Sequence, residues 1–413
     1  MNKVVAKLCF LVIILLYPCL SYSQSDGSLG YEVQPIELRK FLKFPKTKTV
    51  QSIADSKFDV VDDMDLGLEF FLNCKGDSLN LYKGYCYYNG IFVEKNVPKA
   101  AHLFYLAATA GNAEAQYMVG LCYLNGEGVA ENFEEAYIWF ARSSDNGYEY
   151  GKLFAALMFY DGLAVKQDKV EALRLLRQSA DAGCSYAKFF LGYLYYVGDV
   201  VSEDFSLAAE LFSEASEDDV EEAKYYLGLC YLNGHGVSMD YSKAKSLFYE
   251  SALQDFSPAQ LNLACCYYDG KGTSVNYPNA LYWLEKAADS GEAEAQYNLG
   301  IYYSEGKACE ADYTKAYPYF ERAAVSGIAR AQFIAGYMNV AGEGVSKNIP
   351  KGIEMLRKAS MQGLPQAQLT LGMFYYEGLG VRKNIQEAKR LVGLAAKQGL
   401  VQAQLFYRRH FSK

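Results

Sequence analysis

Small and apolar positions recur along most of the chain with one fixed spacing. The stretch VGLCYLNGEGV at 119–129 returns as LGLCYLNGHGV at 227–237, 108 residues on and changed at two positions. Taking Gly120 as an anchor, equivalent small residues stand at Gly84, Gly120, Ala156, Gly192, Gly228, Ala264, Gly300, Gly336 and Gly372, so nine copies follow one another at intervals of 36 residues without insertion or deletion. A repeat this regular predicts one stacked array in place of several independent domains.

Each column of the repeat has a physical task. Six residues after the anchor every copy has glycine, from Gly90 through Gly126 and Gly234 to Gly378. A helix that stops there needs a residue free to take positive φ, and glycine does so without a Cβ penalty. Six residues further every copy has Asn or Asp, for example Asn96, Asn132, Asp168, Asp240 and Asn384. Such side chains accept from the free N–H groups of a helix start. The second helix then shows small and large apolar residues on one face, as in Ala136, Phe140 and Ser143/Ser144 or Ala280, Leu284 and Ala287/Ala288. A further glycine (Gly111, Gly147, Gly183, Gly291, Gly327) ends it, and pairs such as Ala115-Gln116, Ala295-Gln296 and Ala367-Gln368 open the next helix. Asp219 and Asp255 replace that glycine in two successive copies, where a change of curvature is expected, and Asn339 replaces a tyrosine three residues after its anchor.

The columns predict an all-α fold: a right-handed α/α solenoid of nine 36-residue helix-turn-helix repeats over 76–400. Pairs of helices this short bury enough apolar surface only by stacking on their neighbours. Residues 58–75 read as a degenerate N-terminal capping helix after an irregular segment at 24–57, and 401–413 as a C-terminal capping helix whose Arg408, Arg409 and His410 suit the end of a helix.

The leading residues carry a different pattern. Lys3 and Lys7 precede a short apolar run from Leu8 to Leu16, and Ser21-Tyr22-Ser23 supplies small residues for a peptidase, so residues 1–23 read as a signal peptide. Export to the periplasm or beyond is expected. Lipidation at Cys19 fits less well, because Tyr17 and Pro18 precede it.

Composition changes the picture in a few places. The chain has 413 residues, 51% hydrophobic and 21% charged, with a net charge of −8, and no basic stripe, which speaks against nucleic acid as a partner. The basic run Arg39, Lys40, Lys43, Lys46 and Lys48 is read as solvated linker. Histidine occurs only at His102, His235 and His410, and no Cys-x-x-Cys is present, so no metal or cofactor is expected. His235 falls at a variable loop position, where exposure is expected. Cys86, Cys122, Cys230 and Cys266 share an apolar column with Met158, Leu194 and Phe374, which favours buried free thiols over a disulfide ladder. Ser185 and Lys188 have a Ser-x-x-Lys spacing, but Ser185 lies at a helix start and the companion motifs of such a nucleophile are missing, so no catalytic residue is assigned.

The pattern Leu-Gly-x-x-Tyr-x-x-Gly-x-Gly-Val, with Lys-Ala, Ala-Ala-x-x-Gly and Ala-Gln following, resembles the Sel-1-like repeat, a relative of the tetratricopeptide repeat; NLGIYYSEG at 298–306 and KAADSGEAEAQY at 286–297 match it closely. The resemblance covers about 76–413. It implies an α/α superhelix that acts as an adaptor for protein complexes, with no shared catalytic residues, and its bacterial members are often exported.

Tyrosine is the informative excess, at 37 residues. The column three after the anchor (Tyr87, Tyr123, Tyr195, Tyr231, Tyr267, Tyr303, Tyr375) is expected in the core between repeats. The columns two and six before the anchor mix polar and aromatic residues, as expected of a solvent-facing groove. Together they nominate Tyr150, Phe154, Tyr186, Phe190 and Tyr226 as a strip that binds a protein or peptide partner. The expected function is an exported, non-enzymatic scaffold that binds protein through the concave face of the solenoid. The competing expectation is an envelope glycan (peptidoglycan) binding protein or hydrolase, for which no Asp/Glu pair stands beside the strip.

Overall fold

A computed structural model describes residues 79–91, 93–306 and 310–411. The signal peptide, the segment at 24–57 and the capping helix expected at 58–75 lie outside the described residues. All regular structure among the described residues is α-helical. The helices fall into two compact units: 79–230 with 234–238, and 231–233 with 239–411. The N-terminal unit holds α1 (Leu79–Asn89), α2 (Val97–Thr109), α3 (Ala113–Asn125), α4 (Phe133–Asp145), α5 (Glu149–Asp161), α6 (Lys169–Asp181), α7 (Ser185–Val197), α8 (Phe205–Glu217) and most of α9 (Glu221–Asn233). The C-terminal unit holds α10 (Tyr241–Ala252), α11 (Ser257–Asp269), α12 (Tyr277–Asp289), α13 (Ala293–Glu305), α14 (Tyr313–Val325), α15 (Ala329–Ala341), α16 (Ile349–Met361), α17 (Pro365–Glu377), α18 (Ile385–Lys397) and α19 (Val401–Phe411). Within each unit successive helices pack on one another as stacked pairs.

The repeat columns do the work their chemistry suggests. Gly126, at φ 68°, is left-handed and closes α3, while Asn132 accepts from the N–H groups of Glu134 and Glu135 to open α4. All nine Asn or Asp residues of that column cap a helix in this way. Each is also held from behind, because its own N–H donates to the carbonyl three after the anchor, as from Asn132 to Tyr123 at 2.8 Å. Asp219 and Asp255 adopt the positive φ of the glycines they replace, at 67° and 63°.

The anchor glycine is needed for close packing. A Cβ on Gly84, Gly120 or Gly300 would come within 2.7 Å of the ring of Phe104, Phe140 or Phe320 on the second helix of the same repeat. These phenylalanines are wholly buried, and each contributes roughly 2–3 kcal/mol through lost apolar surface. The two copies with alanine at the anchor, Ala156 and Ala264, carry Leu176 and Leu284 where those phenylalanines stand. Room lost at the anchor is recovered on the partner helix.

The Ala-Gln pair has a task beyond opening a helix. The amides of Gln116, Gln260, Gln296, Gln332 and Gln368 donate to the last carbonyls of the preceding helix, at Ala108, Ala252, Ala288, Ala324 and Ser360. Such carbonyls have no partner inside their own helix. The amide oxygens of Gln116, Gln332 and Gln368 in turn accept from Asn146, Gln362 and Gln398, each 30 residues later. At Gln260 and Gln296 that later position holds Ser290 and Ser326, and both amide oxygens are buried without a hydrogen-bond partner.

Two expectations are corrected. The tyrosine column three after the anchor is half-buried at the surface, not core, and cationic side chains engage it: Lys99 Nζ bonds Tyr87 Oη at 2.6 Å, Arg177 bonds Tyr195 and Arg357 bonds Tyr375, each at 3.0 Å. His235 is not a free loop residue: its ring stacks on Phe205 with centroids 4.3 Å apart, and Nδ1 lies 3.2 Å from Tyr196 Oη.

Candidate binding surface

Of the five nominated strip residues, Phe154, Phe190 and Tyr226 are buried, at 7%, 7% and 9% exposure, so a solvent-facing strip is not what these positions form. The ring of Phe154 packs on Phe140 and Tyr117, and Tyr226 packs among Phe189, Tyr193, Tyr196 and Phe212. Tyr150 and Tyr186 remain half-buried, one repeat apart, with ring centroids separated by 6.4 Å. Tyr117 and Tyr148 join them: Tyr117 lies 5.8 Å from Tyr150 and 5.5 Å from Tyr148, and Tyr148 lies 5.6 Å from Tyr150.

Sequence reasoning missed the carboxylates that belong to this surface. Glu114 and Glu222 occupy the same repeat position as Tyr150 and Tyr186, six before the anchor, and so extend the row at either end. Tyr85 donates to Glu114 Oε1 at 2.7 Å. Glu222 is 8% exposed, and its Oε2 is buried with no hydrogen-bond partner. Burial, with the charge of Glu221 beside it, pushes the Glu222 carboxyl up to about 7. Burial also raises Tyr150, to about 12, with the nearby Cys184, Glu149 and Asp218 adding to the shift. Tyr186 rises for the same first reason, then through Glu222 and Glu221. The hydroxyl of Tyr117, a residue 2% exposed, is likewise buried without a partner. The signal available in the sequence was the recurrence of Glu, at Glu114, Glu222 and Glu294, in the column that holds Tyr150 and Tyr186.

Other candidate chemistry takes different places. Ser185 donates to Asp218, while Lys188 pairs with Glu214 at 2.7 Å, so serine and lysine are turned to separate carboxylates. Cys86, Cys122, Cys184, Cys230, Cys265 and Cys266 are free thiols, and burial pushes Cys122 and Cys230 up to about 12. Among the described residues no cluster of His, Cys, Asp and Glu is placed to hold a metal ion, and no helix is long and apolar enough to cross a membrane.

Comparison with known proteins gives the lineage. No curated protein matches the chain. Among solved structures, a Sel1 repeat protein from Oxalobacter formigenes is 26% identical over 75% of this chain and 90% of its own, with a TM-score of 0.56. A protective antigen present in uropathogenic Escherichia coli strains, displaying an SLR fold, is 26% identical over 84% of this chain and 83% of its own, with a TM-score of 0.48. The Sel1 repeat itself matches nine times in succession, at 84–112, 113–148, 148–184, 185–220, 221–256, 257–292, 293–327, 329–364 and 365–400. With this match and its helix pairs in register, the chain is an all-α solenoid and belongs to the Sel1 repeat family.

Proposed function

We propose that this protein is an exported scaffold that binds a protein partner through the concave face of its solenoid, at the row running Glu114, Tyr150, Tyr186 and Glu222. Sel1 repeats build scaffolds that generally serve protein–protein interaction. The N-terminal charge-then-apolar pattern supports export. The observation that carries the reading is the pair of half-buried tyrosines in one column of adjacent repeats, flanked by a buried carboxylate with an unmet oxygen. Aromatic side chains that are partly desolvated before binding make efficient contact anchors. The mature protein, used as bait in envelope extract, is expected to retain a defined protein partner, and Tyr150→Ala with Tyr186→Ala to release it while helical circular dichroism is unchanged. Recovery of peptidoglycan with no protein partner would replace the scaffold reading with the glycan one.

A further inference from the structure

The chain contains its own experiment on this surface. The pentapeptide AEAQY occurs at 113–117 in the N-terminal unit and at 293–297 in the C-terminal unit, and both copies open a first helix at the same register. In the C-terminal unit the next repeat supplies Arg330 at the position six before its anchor. Its guanidinium lies 4.8 Å from the centroid of Tyr297, and Nη2 donates to the two oxygens of Glu294 at 3.0 and 3.3 Å. An arginine thus sits on a tyrosine face and a carboxylate together. In the N-terminal unit the residue at the position of Arg330 is Tyr150. The aromatic and acidic elements are present and multiplied, and two lysines of this unit pair with carboxylates outside the row: Lys188 with Glu214 at 2.7 Å and Lys224 with Asp219 at 2.6 Å.

The surroundings select for positive charge. Glu149 and Asp218 act on Tyr150, and Glu221 and Glu222 act on Tyr186. Two buried polar atoms at this surface, Tyr117 Oη and Glu222 Oε2, lack hydrogen-bond partners. A buried carboxylate oxygen without a donor is costly unless something supplies one. A guanidinium supplies several donors in a plane that also stacks on tyrosine.

We propose that the Tyr150–Tyr186 surface of the N-terminal unit binds an arginine side chain of the protein partner, its guanidinium over the tyrosine rings and paired with Glu222. This rests on the scaffold reading above and gives the chemistry of the partner: a segment bearing exposed arginine.

The probe is an acetylated and amidated (Gly-Arg)4 peptide, titrated calorimetrically into the mature protein at ionic strength high enough to screen the general attraction of an acidic protein. Binding is expected, weakened about tenfold by Glu222→Gln, as for loss of a charged hydrogen bond. Glu131→Gln, which removes an exposed loop charge, is expected to change it less than twofold. The second variant is Tyr150→Arg, which places on Glu114 and Tyr117 the residue that Glu294 and Tyr297 already receive. It is expected to fold at least as well as the parent and to lose peptide binding. Equal weakening by Glu222→Gln and Glu131→Gln, undiminished binding to Tyr150→Arg, no binding to the parent protein, or preference for a neutral N-acetylglucosamine oligomer would each overturn the site. Partner capture from envelope extract separates the two claims. A native partner retained undiminished by Glu222→Gln and Tyr150→Arg leaves the scaffold standing and removes this site. Peptide binding that passes every control, with no native partner captured, does the reverse.

Discussion

The two AEAQY segments differ in what faces them, and that difference separates the two units. In the C-terminal unit Glu294 and Tyr297 are answered within the chain by Arg330. In the N-terminal unit Glu114 and Tyr117 meet tyrosines, and the row continues to a carboxylate with an unmet oxygen. Within the N-terminal unit, two loops force Ala164 and Val200 into the left-handed region, at 61° and 67°, where the equivalent residues Gly128 and Gly236 are glycine. Among the described residues, buried polar atoms without a partner occur in both units, at Tyr117 and Glu222 in one and at Gln260, Asn262 and Gln296 in the other, but a carboxylate is among them only in the N-terminal unit. The Glu294–Tyr297 pair that Arg330 satisfies shows what the occupant should resemble.

The largest effect expected from breaking this comparison is at the buried acid. Glu222 has its carboxyl raised to about 7 in the folded protein, above the ordinary carboxylate value it takes when unfolded. The folded state therefore holds more protons than the unfolded state between the two values, and stability falls as pH rises through that window. The penalty is absent below about pH 4.5 and complete above about pH 7, where it is on the order of 3 kcal/mol. Glu222→Gln should remove it, raising the melting temperature at pH 8 and leaving it little changed at pH 4.5. Glu294→Gln, which loses only a partly exposed pair with Arg330, should cost less than about 1 kcal/mol at pH 8. Thermal melts of both variants across this range check the contrast. Equal responses would mean that the two rows are not electrostatically different.

A smaller effect tests the anchor. Gly120→Ala drives a Cβ to 2.5 Å from the Phe140 ring and should cost about 2 kcal/mol in urea denaturation. Adding Phe140→Leu should make Gly120→Ala nearly neutral, since Ala156 and Leu176 already coexist one repeat later. Failure of the rescue would show that the pairing is coincidence.

The fold was legible because each structural task falls on its own column. Asn132 and Gly126 announce a helix start and a helix stop whatever lies around them. The candidate surface was less legible for a physical reason. First helices such as α3 are covered on several sides, with buried residues running from Ala115 to Cys122, so they have no wide polar face to reveal which way is out. Second helices such as α4 bury only Ala136, Trp139, Phe140 and Ser143, and their buried face is plain. On a nearly all-buried helix, Phe154 reads equally well as core or as contact surface. Glu222 reads as solvent-facing until its burial is seen. The tyrosine column at Tyr87 and Tyr195 misled in the other direction, because its side chains are met by cations of the same repeat or the one before: Lys99 lies over the Tyr87 ring and Arg177 donates to the Tyr195 hydroxyl.

Backbone strain gives the next contrast, at about 1 kcal/mol. Val200 is β-branched and left-handed, a conformation that costs roughly 1–2 kcal/mol for a residue with a Cβ. Its loop is pinned through the preceding residue, Asp199, which takes hydrogen bonds from Tyr160 and from Lys169, the latter at 2.7 Å. Val200→Gly should relieve the strain, offset in part by the entropy of glycine in the unfolded chain. A rise in the urea midpoint with unchanged slope is the expected result. A fall would mean that the valine side chain contributes packing that outweighs its backbone strain.

The smallest effect tests how neighbouring repeats are tied together. Gln332 and Gln368 each receive a hydrogen bond from a glutamine 30 residues later, while Gln296 faces Ser326, too short to reach its buried amide oxygen. Ser326 closes α14 at the register where Gln362 closes α16, so the backbone already places this position correctly. Ser326→Gln should complete the chain of amides from Ala288 through Gln296 to the end of α14. A net hydrogen bond is worth about 0.5–1.5 kcal/mol, and ordering the longer side chain takes back part of it. The gain should be local, seen as slower hydrogen exchange at the last turn of α14 and the first turn of α13, with α3 and α4 unaffected. Faster exchange there would show that the longer side chain disturbs the packing between these repeats more than the added hydrogen bond ties it.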